Sequence, residues 1–212
     1  MLRPAQKLET TCWRLWRDMA ITLRVMHDLG CPCGRHFRRA LYHALDVTQQ
    51  PGLRYAVLAH VVNVVQCPSC ERMARVSLPF LYQDAARGHC IYVCPEEAEE
   101  QEGQLRGQLV QLISALEESS GARQDLQPPT LMFGLEHLAQ LVRAELSDGE
   151  QPGSLSFDVR PSIKAERAAR ALAGRVALQT KGYVHSWREG GRLHLQILGP
   201  RARLDEATIT MR

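Results

Sequence analysis

Short alternating or β-branched apolar runs share this chain with stretches of helical spacing. Ile21 to Met26 reads as a strand and leads to Cys31-Pro-Cys33-Gly34. Phe37 to Val47 mixes apolar with basic positions. Pro51-Gly52 then opens a predicted helix with Leu53, Val57 and Leu58 on one face, since proline fits the first helical turn. Val61 to Val65 is a β-branched run that ends at Cys67-Pro-Ser-Cys70. Met73 to Leu78 and Cys90 to Cys94 alternate as further short strands.

Farther along, Leu105, Leu109, Leu112, Ile113 and Leu116 recur at helical spacing, and Leu131, Leu135, Leu138, Val142 and Leu146 predict a second amphipathic helix. The loop between them is marked by Ser119-Ser-Gly and Pro128-Pro129. Leu155, Phe157 and Val159 alternate as a strand. Ser162 is a candidate N-cap for a helix with Ala165, Ala168, Leu172 and Val176 inward, and Gly182 a candidate stop. Tyr183 to Trp187 and Leu193 to Ile197 flank Gly190-Gly191, which predicts a hairpin. Ile209 and Met211 suggest a closing strand.

The expected fold is α+β. A small zinc-ribbon-like antiparallel β domain with helices precedes a separate small α+β C-terminal domain. Residues 1–20 form an N-terminal extension, with Cys12, Trp13 and Trp16 on a short helix or loose segment. Residues 21–100 form the metal-binding domain and 101–148 two helices completing it. The break at Ser147 to Gly153 sets off residues 154–212.

Composition changes this picture little. The 212 residues are 45% hydrophobic and 23% charged, ordinary for a globular chain. A formal charge of +3 demands neither a nucleic-acid nor a membrane partner. No apolar run approaches the roughly 18–20 residues of a membrane span, and Met1 to Thr11 lacks the apolar core of a signal peptide. A cytoplasmic location is therefore expected. Seven cysteines in such a compartment point to ligands or buried thiols rather than disulfides.

The strongest chemical signal is two close-set cysteine pairs, Cys31/Cys33 and Cys67/Cys70, about 34 residues apart. Zinc takes four ligands in a tetrahedron with sulfur at about 2.3 Å. In an extended chain residues two apart project to one side about 6.6 Å apart, so modest closing lets Cys31 and Cys33 share an ion. Three alternatives remain open: reduced thiols without metal, a redox dithiol at Cys67/Cys70, and His36 replacing one ligand. Cys90 and Cys94 share a strand face but lie about 13 Å apart, which fits packing rather than one shared ion.

These segments resemble the CpXC family, prokaryotic zinc-ribbon-like domains. Cys31-Pro-Cys-Gly is similar to the family's first pair, which usually reads Cys-Pro-x-Cys. Asn63-Val-Val-Gln-Cys67-Pro-Ser-Cys70 resembles the second. Leu78-Pro-Phe-Leu-Tyr82-Gln-Asp84 resembles a Pro-x-Leu-Tyr-x-Asp signature, Ile91 to Glu96 a strand ending in Pro-Glu, and Met132 to Leu138 a segment opening a helix. The resemblance spans about Ile21 to Glu97, more weakly to Leu146. It implies a metal site and a fold, not an activity. Tyr82 and Asp84 have a structural reading besides a catalytic one: the ring packs and the carboxylate caps a turn.

No nucleophile elbow, phosphate-binding glycine loop or His-Glu-x-x-His motif is present. A four-thiolate zinc site has no open position for substrate, which argues against an enzyme; an enzyme with an open zinc site remains an alternative should one cysteine not be a ligand. The leading expectation is an interaction or regulatory adaptor with a protein partner. The alternative is a nucleic-acid module using Arg35, His36, Arg38 and Arg39 beside Phe37 and Tyr42. The face with Tyr183, His185 and Trp187 is either a docking patch or core against the helix that carries Lys164, Arg167 and Arg170.

Overall fold

The computed structural model describes residues 22–120 and 129–210. The N-terminal extension with Cys12, Trp13 and Trp16, most of the predicted loop before Pro129, and Met211 lie outside the described residues.

The fold is α+β. Strands β1 (Leu23–Gly30), β2 (His36–Asp46), β5 (Phe80–Asp84), β6 (His89–Cys94) and β7 (Thr130–Phe133) form one five-stranded sheet in the order β1-β2-β5-β6-β7. The sheet is mixed rather than antiparallel throughout: β2 with β5 and β6 with β7 run parallel. Both parallel neighbours are reached by crossovers, through helix α1 (Gly52–Leu58) and through helix α2 (Glu102–Ser120), since parallel pairing needs a long connection. Between α1 and β5, β3 (Val64–Gln66) and β4 (Met73–Arg75) form a separate two-stranded sheet.

All seven residues of α1 are buried. It packs between the sheet and helix α3 (Leu135–Ala144), within a core that includes Leu45, Val57, Tyr82, Val93 and Leu138. Leu131, expected on the second helix, sits instead in β7. Thr130 to Phe133 pair with Ile91 to Cys94 along the sheet edge, and Gly134, at φ +81°, turns the chain into α3. Cross-strand hydrogen bonds override the helical spacing there. Ser119 and Ser120 lie in α2 rather than in a loop.

Beyond a short turn at Asp148–Glu150, β8 (Pro152–Val159), β9 (Tyr183–Glu189) and β10 (Arg192–Pro200) form a three-stranded sheet in the order β8-β10-β9. Gly190 and Gly191 (φ +56° and +77°) make the predicted hairpin turn, where both central residues need positive φ. Helix α4 (Ile163–Thr180) covers one face with Ala173, Val176 and Ala177. Ala168 and Leu172, expected inward, are exposed because the contact stripe follows small residues that allow close approach. The residue that ends α4 in the left-handed conformation is Lys181, at φ +54°, not Gly182. Helix α5 (Arg201–Thr210) replaces the predicted closing strand at Ile209. Arg201, Ala202, Arg203, Leu204, Glu206 and Ala207 are good helix formers and decide this end.

This second sheet packs closely on the first core. A Cβ on Gly52 would lie 2.0 Å from the Gly182 carbonyl oxygen. Leu198 is buried in the first core and Tyr183 packs against it.

Candidate metal centre

The β1–β2 hairpin ends in a tight turn in which the Cys31 N–H donates to the Arg35 carbonyl at 2.9 Å and the Gly34 N–H to the Cys31 carbonyl at 2.8 Å. Gly34 sits at φ +87°, a conformation glycine adopts without steric cost. Cys31 and Cys33 thus project from one tip. The β3–β4 hairpin ends similarly. The Cys67 N–H donates to the Arg72 carbonyl at 2.9 Å, the Glu71 N–H donates to the Cys67 carbonyl at 3.1 Å, and Glu71 takes φ +57°.

The two tips bring all four sulfurs together. Cys31 Sγ lies 3.5 Å from Cys70 Sγ and Cys33 Sγ lies 3.7 Å from Cys67 Sγ. All four fall within 4.8 Å of one another. A disulfide would need roughly 2.05 Å, whereas sulfurs on a tetrahedron 2.3 Å from a metal are separated by about 3.8 Å. The cysteines are free thiols, and their spacing fits a tetrahedral four-sulfur shell. Such a donor set suits zinc or iron.

Local electrostatics favour thiolate at one corner. Backbone N–H groups of Cys70, then of Ser69, lower the Cys67 thiol to about 6 against its desolvation. The Ser69 N–H lies 3.5 Å from Cys67 Sγ. At Cys31 the Cys33 N–H also acts to lower the thiol. Desolvation and the sulfurs of Cys33, Cys70 and Cys67 outweigh it and push Cys31 up to about 12. Binding of a metal cation would require the thiols to release their protons.

The segment leading to Cys67 is held by side chains that imitate backbone. Asn63 Oδ1 accepts from the Tyr42 N–H at 2.7 Å while its amide donates to the Tyr42 carbonyl at 3.0 Å. Gln66 does the same with Arg188 of β9: its Oε1 accepts the Arg188 N–H at 2.7 Å and its amide donates to the Arg188 carbonyl. One tripeptide step therefore ties β3 to β2 and to the C-terminal sheet just before a cysteine. In the sequence both residues stand only as part of the second-pair segment, two amides flanking a β-branched pair with no bracing role legible.

The other candidates fall elsewhere. His36 is not among the four converging residues. Cys94 is buried against Leu109 and Leu131, with its thiol pushed up to about 11 by that burial, and Cys90 lies on the same strand. Tyr82 is core, its phenol raised to about 12 by burial and then by Asp84. Asp84 makes no turn cap through its side chain; it is fully buried and pairs with Arg54 at 2.5 Å and Arg87 at 3.3 Å. Arg38 pairs with Asp28 across the hairpin, and Arg39 lies over the Phe37 ring. Tyr183, His185 and Trp187 lie on the sheet face opposite α4. They line a cleft with Arg24, Tyr42 and Gln66, whose wall also includes Arg170 of α4, and are not part of the cluster packed under that helix. Among the described residues no helix is long and apolar enough to cross a membrane.

The family model for CpXC proteins matches residues 29–143, more than half of the chain and all four cysteines. This chain belongs to the CpXC family. The CpXC segment runs from the end of β1 through α3, so the three-stranded sheet lies outside it. No curated protein matches the chain, and no solved structure does.

Proposed function

We propose that Cys31, Cys33, Cys67 and Cys70 hold one structural zinc ion, and that the CpXC unit so stapled serves as an interaction or regulatory adaptor. The convergence of four sulfurs from two hairpin tips carries this reading. The tips connect like the two knuckles of a zinc ribbon. Four thiolates would close the shell and leave no position for a substrate, which favours a scaffold over a Lewis-acid enzyme. The Gln66–Arg188 bracket lets the metal site brace a second, C-terminal α+β unit. A partner protein in a cytoplasmic setting is the natural reader of such a scaffold. Zinc-edge X-ray absorption tests the closed shell: four sulfurs at about 2.3 Å support it, and an oxygen in the first shell would return the site to enzyme candidates. Capture of a protein partner should require the zinc-loaded form.

A second reading rests on a specific feature. The cleft of about 540 Å³ between the hairpin and β9 is lined by Arg24, Arg39, Arg170 and Arg188 beside Tyr42 and Trp187. Cations interleaved with aromatic rings suit a single-stranded nucleic acid. That reading requires oligonucleotide binding that falls steeply with salt.

A further inference from the structure

A cavity of about 490 Å³ is lined by Arg54 and Tyr55 of α1, by the turn at Asp148–Glu150 and by the start of α5. Its volume lies in the range of small-molecule sites, roughly 300–1,000 Å³. Its wall contains Arg54, Arg87, Lys181 and Arg203 against only Asp84 and Glu150.

Two of the cations are already balanced. Arg54 reaches Asp84 at 2.5 Å and Glu150 at 2.8 Å, while Arg87 reaches the same carboxylates at 3.3 Å and 2.8 Å. That closed ring of two guanidiniums and two carboxylates is neutral. Lys181 and Arg203 then leave the wall with a surplus of two positive charges. The helix behind them makes this surplus unusual. The first turn of α5 holds no acidic residue and carries Arg201 and Arg203, the reverse of what a helix N-terminus favours. A second observation lies deeper in the wall. Arg54 Nε, a donor, is buried without a hydrogen-bond partner among the described residues, whereas the unpartnered Asp84 Oδ1 beside it is an acceptor and adds nothing to an anion's case. Buried polar atoms of this kind call for a partner.

We propose that this cavity binds the phosphate group of a small molecule, a phosphate ester or polyphosphate, between Lys181 and Arg203 and against the Arg54–Arg87 ring. A phosphate dianion matches the surplus charge, and its tetrahedral oxygens can accept from several cations at once. The wall unites residues of the CpXC segment with residues beyond it, so the ligand would sit where the two sheets meet. The site stands independently of the zinc reading.

The test is isothermal titration calorimetry of the full chain with inorganic phosphate and pyrophosphate, at ionic strength held constant with chloride and with acetate as the monoanion comparison. Lys181→Gly suits the left-handed position, and Arg203→Ala suits an exposed helical one, so both should keep the wild-type circular dichroism. Arg38→Ala removes a surface cation elsewhere. Saturable binding of one phosphate or pyrophosphate per chain is expected, weakened about tenfold or more in each cavity variant and unchanged in Arg38→Ala. Absence of saturable binding, equal binding of acetate, or undiminished binding by folded Lys181→Gly and Arg203→Ala protein would overturn the proposal.

Discussion

Replacing Asp84 by asparagine should separate buried from exposed electrostatics in one experiment. Asp84 is fully buried, and its Oδ2 receives Arg54 at 2.5 Å and Arg87 at 3.3 Å. Arg54 is itself only 7% exposed, so the substitution leaves a guanidinium in a poorly solvated place. Breaking a buried pair from one side costs about 3–5 kcal/mol. Here Glu150 still holds Arg54 at 2.8 Å, which reduces the expected loss to about 2–4 kcal/mol. The comparison is Asp28→Asn. Its partner Arg38 stands 3.2 Å away, with the two side chains 85% and 66% exposed, and such pairs contribute about 0–1 kcal/mol. Urea unfolding of zinc-loaded protein at neutral pH reads both. With a slope of about 2 kcal/mol per molar, the Asp84 variant should unfold about 1–2 M earlier and the Asp28 variant within about 0.5 M of wild type. Equal midpoints for the two variants would refute the claim that burial gives the Asp84 pair its weight.

Two further outcomes follow from the same contacts. Gly52→Ala should cost about 3 kcal/mol or more, because the added carbon meets the backbone of Gly182 and no side chain can rotate away; Gly174→Ala, with open space on helix α4, should instead stabilise by about 0.5–1 kcal/mol, and thermal melts distinguish the two. Desolvation acts to raise the Glu150 carboxyl, but the Ser147 N–H and hydroxyl and Arg87 outweigh it and hold the group at about 2, below its ordinary 4.5. A folded-state value that is depressed contributes stability above pH 4.5 that is lost as pH falls toward 2. Acid unfolding curves should therefore be flatter in that window for Glu150→Gln than for wild type.

What could be read from the sequence was mostly local. The β9–β10 hairpin was legible because Gly190-Gly191 supplies the turn its strands need, and α1 was legible from Pro51 and its apolar face. The cysteine pairs were legible because ligand chemistry restricts spacing more tightly than packing does. Strand β7 was hidden because its four residues continue the helical period of α3, and only pairing with β6 distinguishes them. Helix α5 was hidden behind three β-branched residues at its end, Thr208, Ile209 and Thr210. The Arg54–Asp84 pair spans 30 positions and the Gln66–Arg188 bracket 122, distances over which a single sequence carries no periodic signal. The resemblance did point to Asp84, but a turn cap explained it adequately until its burial was visible.

The proposed zinc site rests on four sulfurs brought together by two hairpin tips. Elemental mass spectrometry of the reduced protein, purified without chelator, beside a Cys67→Ser/Cys70→Ser variant, tests it most directly. One zinc per chain is expected in the wild type. That zinc should be lost in the variant, together with the far-ultraviolet signal of the hairpins it joins. Wild-type protein without stoichiometric metal, or a variant that keeps its zinc, would contradict it.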